Sequence, residues 1–212
     1  MDYSCVLVAA GSGSRTGLQY NKVFYKLGDK TVIEHSASNF ILDDDCKQVI
    51  IVINPKEVED FKTLNLGSKV MFVNGGERRQ DSVYNGLLAV DQDYVMIHDG
   101  ARPYLGFKTI KEIKKALKSY DACVVMVASI DTTKIVENGI VKKTLNRKTL
   151  YNAQTPQAFK TSLIKESYQT LEAENLSVTD DSQAVESTSN KKVFVISGDY
   201  RNIKITTKED LV

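Results

Sequence analysis

Three short clusters in this sequence combine glycine with cations or a carboxylate, the residue types that hold phosphate esters. The first is Ala9-Ala10-Gly11-Ser12-Gly13-Ser14-Arg15, followed by Lys22. Glycines let backbone N–H groups approach an anion closely, and such groups bind phosphate oxygens. The cluster is not a Walker A loop, because no Gly-Lys-Ser/Thr closes it. It also misses the dinucleotide fingerprint, because Thr16 stands where a third glycine belongs. Gly17–Asn21 reads as loop rather than helix. A glycine turn with two cations, Arg15 and Lys22, suits a triphosphate; the plainer alternative is a turn with two solvated cations.

The second cluster is Asn74-Gly75-Gly76-Glu77-Arg78-Arg79-Gln80-Asp81-Ser82. Its double glycine leaves backbone donors and acceptors free to meet a flat base edge. Ser82 falls in the first turn of the helix that follows, where Ser and Asp also serve simply as caps. The third is His98-Asp99-Gly100-Ala101-Arg102-Pro103. An acidic residue at a strand's carboxyl end can hold a divalent cation or sugar hydroxyls, and Arg102 can meet phosphate with its planar fork. The alternative is an exposed Asp99–Arg102 pair of little energetic weight. His98 closes an apolar strand and reads as a hydrogen-bonded structural residue; His35 is assigned no role.

The elements around these clusters alternate. Tyr3–Ala10, Gln48–Ile53, Lys69–Val73, Tyr94–His98 and Ala122–Ala128 are short apolar runs that read as buried strands. Thr31–Leu42, Asp81–Val90 and Thr109–Ser119 carry apolar residues at helical spacing. Strand and helix in alternation imply a parallel sheet covered on both faces, with ligands bound beyond the carboxyl ends of the strands. Between Thr133 and Thr144 the pattern changes: Asn138-Gly139 between two short runs predicts a two-residue hairpin. A helix over Ser162–Glu174, a short helix near Asp181–Glu186, and strands near Val193–Ile196 and Asn202–Ile205 complete the expectation. The fold class expected is α/β: a single domain over 1–212 with a Rossmann-like, mostly parallel sheet and a protruding β-hairpin arm over about 133–150.

Composition narrows the partners. The 212 residues carry 28 Lys plus Arg against 27 Asp plus Glu, a net charge of +1, so neither nucleic acid nor a membrane surface is expected as partner. Three cysteines, Cys5, Cys46 and Cys123, make no C-x-x-C pair, which argues against zinc and a disulfide framework. No run approaches the ~20 apolar residues of a membrane helix. The N-terminus has no basic region followed by an apolar one, and the expected location is the cytoplasm.

The ordered set A-A-G-S-G-S-R with Lys22, G-G-E-R-R-Q-D-S-V and H-D-G-A-R-P resembles the 2-C-methyl-D-erythritol 4-phosphate cytidylyltransferases. The likeness continues through Asp131–Lys134, Arg147, Gln154–Phe159, Thr179–Asp181 and Asn202–Thr206. It implies that the loop from Ala9, Ala10, Gly11, Ser12 and Gly13 wraps the CTP phosphates, with Arg15 and Lys22 stabilising the transition state. It further implies that Gly75, Gly76 and Ser82 read cytosine. Asp99, Gly100 and Arg102 would lie at ribose, metal and acceptor. Thr132, Arg147, Thr179 and Lys204 would position the acceptor. Mg²⁺ or another divalent cation is implied, held mostly through CTP phosphates with Asp99 as its weak protein ligand. So is a homodimer in which the arm crosses over and Arg147 serves the neighbour. Asn21 precedes Lys22 where many relatives have proline, Thr16 replaces a frequent methionine, and the family's last helix usually continues past position 212. The alternatives are a ribitol- or glycerol-type alditol phosphate cytidylyltransferase, a dinucleotide-dependent oxidoreductase, and a catalytically silent nucleotide-binding dimer.

Overall fold

The computed structural model describes residues 1–11 and 16–211. Strand β1 (Tyr3–Val8) is apolar on both sides: Cys5 and Leu7 enter one core and Val6 the other. Period-two alternation dictates this for a strand with layers above and below. A 3₁₀ turn over Lys22–Phe24 and a minimal ribbon, β2 (Lys26–Leu27) with β3 (Lys30–Thr31), lead into α1 (Val32–Ile41). Thr31 caps α1, and Glu34 accepts the Thr31 backbone N–H at 2.7 Å, a reciprocal capping box.

Alternation continues through β4 (Cys46–Ile53), α2 (Val58–Lys62), β5 (Val70–Asn74), α3 (Arg79–Leu88), β6 (Tyr94–Asp99), α4 (Phe107–Ala116) and β7 (Ala122–Ala128). The expected hairpin follows as β8 (Lys134–Glu137) and β9 (Ile140–Thr144), with Asn138 at φ 51° and Gly139 at φ 77°. Both angles are those of a type I′ turn, which is why Asn-Gly stands there. Next come β10 (Tyr151–Lys160), α5 (Thr161–Ala173), α6 (Asp181–Thr188) and β11 (Val193–Ser197).

Seven strands form one sheet in the order β11-β7-β10-β6-β1-β4-β5. All pairings are parallel except those of β10, which runs against β6 and β7. Helices α1, α2 and α4 cover one face, where Phe40, Phe61 and Ile113 pack on Leu7, Ile51 and Met96. Helices α3, α5 and α6 cover the other, where Leu87, Tyr168 and Val185 join Val6, Ile50 and Ile97.

Beyond the short helix α2 and the β2–β3 ribbon, which the sequence expectation did not include, two differences bear on the site. The predicted strand over Asn202–Ile205 does not form. That segment makes a single backbone bond to the site wall, Ile205 N–H to Ala101 O at 2.9 Å, and is held by the Asn202 amide on Thr155 O at 2.8 Å. Conversely β10 is not predicted, because Pro156 interrupts a polar run. The proline is tolerated because the register shifts between Ala153 and Gln157, leaving residues 154–156 outside the ladder.

Gly86 shows how closely α3 sits on the sheet. A Cβ there would stand 2.7 Å from a Val6 methyl and 2.8 Å from a Val52 methyl. Alanine in a helix gains about 1 kcal/mol over glycine, but forcing a methyl into a packed core costs about 1–3 kcal/mol. Valine methyls on a buried strand cannot swing away. Gly86→Ala is therefore expected to lose about 1 kcal/mol net by urea denaturation, and a more stable variant would refute the close-packing argument.

Candidate active site

The carboxyl ends of β1 and β6 lie side by side, with Val8 opposite Asp99 and Gly100 N–H bonded to Val8 O at 2.9 Å. The chain after β1 goes to β4 and β5 on one side, then returns to β6 on the other. Loops leaving this reversal point diverge and open a crevice. Two cavities occupy it.

The first, ≈ 330 Å³, is lined by Ala9, Ala10, Gly11, Lys22, Gly76 and Ser82. The second, ≈ 280 Å³, is lined by Arg102, Gln154, Thr155, Gln157 and Thr179. Arg79, Asp99 and Lys204 belong to both and form their common wall. A larger cavity of ≈ 1090 Å³ lies elsewhere, between α4 and the edge strand β11. Its guanidinium, Arg201, is tied to Asp199 at 2.6 Å, and none of the three sequence clusters' glycines or cations reaches it.

Asp99 is 5% exposed and organises the wall. Its Oδ2 accepts from Arg102 Nε at 3.1 Å and pairs with Lys204 Nζ at 3.1 Å; its Oδ1 is 4.0 Å from Arg79 Nη2. Burial alone would push this carboxyl up. The charges of Lys204, Arg79 and Arg102 outweigh it and hold the group well below the usual carboxylate range. The alternative of an exposed, weak Asp99–Arg102 pair does not hold: the pair is largely buried and reinforced, and Arg102 also donates to Asn202 O at 2.7 Å.

Arg79 is gripped from behind. Asp181, fully buried, accepts from its Nη1 at 2.9 Å and its Nη2 at 2.8 Å, and from Tyr168 Oη at 2.6 Å. Burial works against the guanidinium's charge, but Asp181 and then Asp99 more than restore it.

His98 supports the wall from below. Its Nε2 faces Arg102 O at 3.2 Å and must carry the proton; its Nδ1 lies 2.9 Å from Thr155 Oγ1 and accepts. Thr155 in turn accepts the Asp99 N–H at 3.0 Å. Full burial lowers the imidazole to about 4, so it is neutral. The structural role read from the sequence is what the geometry shows.

The first cavity is built largely from main chain. Asn21 donates to Ala9 O at 3.0 Å and to Glu57 Oε2 at 2.9 Å, and accepts from Val23 N–H at 3.3 Å. One amide thus joins the end of β1 to the turn that carries Lys22. Gly76 N–H donates to Ser82 Oγ at 3.0 Å, and a Cβ on Gly75 would lie 2.6 Å from Ala10 Cβ, so only glycine lets these two loops touch. Asp81 caps α3 through the Arg78 N–H at 3.0 Å, as the sequence allowed.

The structure brings together Ala9, Ala10, Gly11, Lys22, Gly76, Ser82, Asp99, Arg102, Thr179 and Lys204. Gly75 and Gly100 stand behind the walls rather than lining them. Thr132 and Arg147 are exposed beside the arm, where Arg147 donates to Ile130 O at 2.8 Å, and neither lines these cavities. Ser12, Gly13 and Arg15 lie outside the described residues. Sequence reasoning missed Arg79, Asn21 and Thr155; only the T-D-D run containing Asp181 hinted at a partner for Arg79. Among the described residues no group of three or more His, Cys, Asp or Glu could hold a metal ion.

The family model for 2-C-methyl-D-erythritol 4-phosphate cytidylyltransferase matches residues 3–212. Proteins of that name from Bacillus pumilus and Clostridioides difficile are 42% and 44% identical, covering 100% and 99% of this chain and 95% and 90% of theirs. Among solved structures, 4-diphosphocytidyl-2C-methyl-D-erythritol synthase of Anaerococcus prevotii superposes with a TM-score of 0.88 at 33% identity, covering 99% of this chain and 94% of that one. The 2-C-methyl-D-erythritol 4-phosphate cytidylyltransferase of Francisella tularensis does so at 0.85 and 30%, covering 100% and 97%.

His98 generates a pH prediction. Its folded pKa of about 4 lies below the ordinary value of 6.5, so above pH 6.5 both folded and unfolded forms are neutral and the full stability is present. As pH falls from 6.5 toward 4 the unfolded chain takes up the proton and the folded one does not, costing about 3 kcal/mol. Urea denaturation at intervals across that window should show the decline in the native protein and a flatter profile in His98→Gln. Equal slopes would remove His98 as the cause.

Proposed function

The chain belongs to the 2-C-methyl-D-erythritol 4-phosphate cytidylyltransferase family, and on that premise we propose how its own residues carry the reaction. The protein transfers a cytidylyl group from CTP to 2-C-methyl-D-erythritol 4-phosphate, releases pyrophosphate and forms the CDP-linked product, a step of isoprenoid precursor synthesis. The ribitol- and glycerol-type alternatives fall away on the same matches. The observation that carries the residue assignment is the pair of cavities sharing one charged wall. CTP takes the first cavity, the acceptor phosphate takes the second, and they meet at Arg79, Asp99 and Lys204.

An acceptor phosphate oxygen attacks the α-phosphorus, forming one P–O bond as the α–β bridge breaks and pyrophosphate leaves. The nucleophile is a phosphate monoester, already ionised near neutral pH, so no base is required. The difficulty is bringing two anions together, and catalysis rests on positioning and on cations aimed at developing charge. Lys22 faces the phosphates in the first cavity; the same charge-stabilising role falls to Arg15 on the sequence resemblance alone. Lys204 and Arg102 hold the acceptor phosphate in the second, with Thr179 at its edge. Main-chain groups of Ala10 and Gly76, with Ser82, read cytosine and exclude larger purines.

Cytidylyltransferases generally use a divalent cation. Asp99 is the one carboxylate common to both cavities, and its Oδ2 is already engaged by Arg102 and Lys204. That donor set fits Mg²⁺ carried mainly on CTP oxygens, with Asp99 Oδ1 as protein ligand, since magnesium favours phosphates plus one or two carboxylates. When bound it offsets charge on the triphosphate.

The chain works as one domain over 1–212 and pairs with a second copy through the arm. Support comes from Ile135, Val136, Ile140 and Val141, which the arm exposes together, and from Thr132 and Arg147, which flank it away from this chain's own cavities. The partner's arm would complete the acceptor site. No helix among the described residues is long and apolar enough to cross a membrane, and the cytoplasm is the proposed location.

Two outcomes test this reading. Lys22→Gln should lower kcat by about 100- to 1000-fold, the scale of a lost transition-state donor, in a pyrophosphate-release assay that also shows CTP turned over far faster than ATP. Wild-type turnover in the variant, or equal use of ATP, would defeat the assignment. Separately, Val136→Asp with Ile140→Asp should yield monomers by sedimentation with a raised acceptor KM. A fully active monomer would rule out a shared site.

A further inference from the structure

The common wall contains a cation, Arg79, to which the sequence resemblance assigned no role. Arg79 opens α3, Asp181 opens α6, and Tyr168 sits on α5. Asp181 takes both terminal nitrogens of Arg79, at 2.9 and 2.8 Å, while the Tyr168 hydroxyl donates to Asp181 at 2.6 Å. Tyr168 is itself stacked on Tyr84 of α3, ring centroids 6.1 Å apart at 9°. Three helices on one face of the sheet therefore fix the direction of a single guanidinium.

That guanidinium then reaches the reaction boundary. The Nη2 bonded to Asp181 is also 4.0 Å from Asp99 Oδ1, while Lys204 and Arg102 hold Asp99 Oδ2 at 3.1 Å each. At 4.0 Å the contact to Asp99 acts through charge, not as a hydrogen bond. A planar fork can grip one carboxylate with two nitrogens and present its outer edge to another; a lysine ammonium is a point charge and cannot do both.

We propose that Arg79 is a positioning residue: braced by Asp181, it holds Asp99, and through Asp99 the Lys204 ammonium, where the acceptor phosphate must line up with the α-phosphorus. The inference rests on the two-cavity reading given above. Arg79 lines both cavities at their junction, whereas Ala10, Gly76 and Ser82, the groups proposed to face the base, line the first alone. Its loss therefore disturbs alignment and acceptor binding and leaves recognition of the nucleotide largely intact.

The test is steady-state kinetics of Arg79→Lys and Asp181→Asn, with Lys62→Ala, an exposed partner of Glu59 that lines neither cavity, as control. Arg79→Lys keeps a cation beside buried Asp181, which protects the fold; Asp181→Asn keeps the shape of the brace and removes its charge. Both should lower kcat by about 10- to 100-fold, the scale of an ångström's misplacement, and raise the acceptor KM. The KM for CTP should stay within about threefold of wild type, the pattern of a group outside nucleotide binding. Circular dichroism and thermal melts give the folded fraction by which kcat is corrected. Wild-type kcat in Arg79→Lys overturns the proposal. So does a CTP KM that rises in step with the loss of kcat, a loss that vanishes on correction for folded protein, or full activity in Asp181→Asn beside an impaired Arg79→Lys. Failure of the two-cavity reading is distinguishable, because Lys22→Gln and Lys204→Gln would then leave wild-type turnover intact.

Discussion

A carboxylate that burial would neutralise is kept charged by three cations, one local and two from elsewhere in the chain, and the site depends on that arrangement. Asp99 ends β6, Arg102 follows three residues later, Arg79 begins α3 and Lys204 lies beyond β11. A buried ion costs several kcal/mol unless its partners are well placed. Folding must therefore bring α3 and the 202–206 segment to the end of β6 together, so assembling the domain and assembling the wall are one event. A carboxyl held this far below its usual range also cannot serve as a general base near neutral pH. The reaction asks for none, because its nucleophile arrives ionised.

The topology explains why the wall stands where it does. Chain reversal between β1 and β6 opens the crevice, and parallel strands point their carboxyl ends into it. Reversed strand β10 then lies beside β6 and delivers Thr155, whose hydroxyl accepts the Asp99 N–H and donates to His98. The break in register around Pro156 frees residues 154–156 from the ladder so that their side chains can serve the site. Across the crevice, the Asn21 amide bonds Ala9 O and the turn that carries Lys22. Where a rigid residue could fix that approach by its own backbone, this chain uses side-chain hydrogen bonds.

Much of this was legible in the sequence. Buried strands announce themselves as β-branched runs and the hairpin as Asn-Gly, and the three clusters fall at strand ends because glycine and charge are tolerated only where a strand stops. What stayed hidden depends on contacts between distant positions. Arg78 and Arg79 are adjacent and chemically identical, yet one forms a local pair with Asp81 and the other meets Asp181, 102 residues away. No local spacing separates them. Strand β10 was hidden because a proline in a polar run argues against a ladder, and only its two neighbours supply the pairing. Asn202–Ile205 misled in the opposite way: its alternation suits a strand, but no adjacent edge accepts it, and side-chain bonds hold it instead.

The same cluster reconciles two demands that conflict. Two phosphorylated reactants can approach only where positive charge is concentrated, yet cations crowded into a partly buried wall repel one another. Asp99 and Asp181 relieve this: two carboxylates interleave with Arg79, Arg102 and Lys204, leaving a surplus of one positive charge. The carboxylates thus act as spacers that let cations stand close without fleeing to solvent. The neutral, main-chain pocket at Ala10 and Gly76 needs no such arrangement, because a base edge is read by hydrogen bonds and shape. In the proposed assignment, recognition of the base and approach of the phosphates therefore fall to physically different walls of one crevice, and each could change without undoing the other.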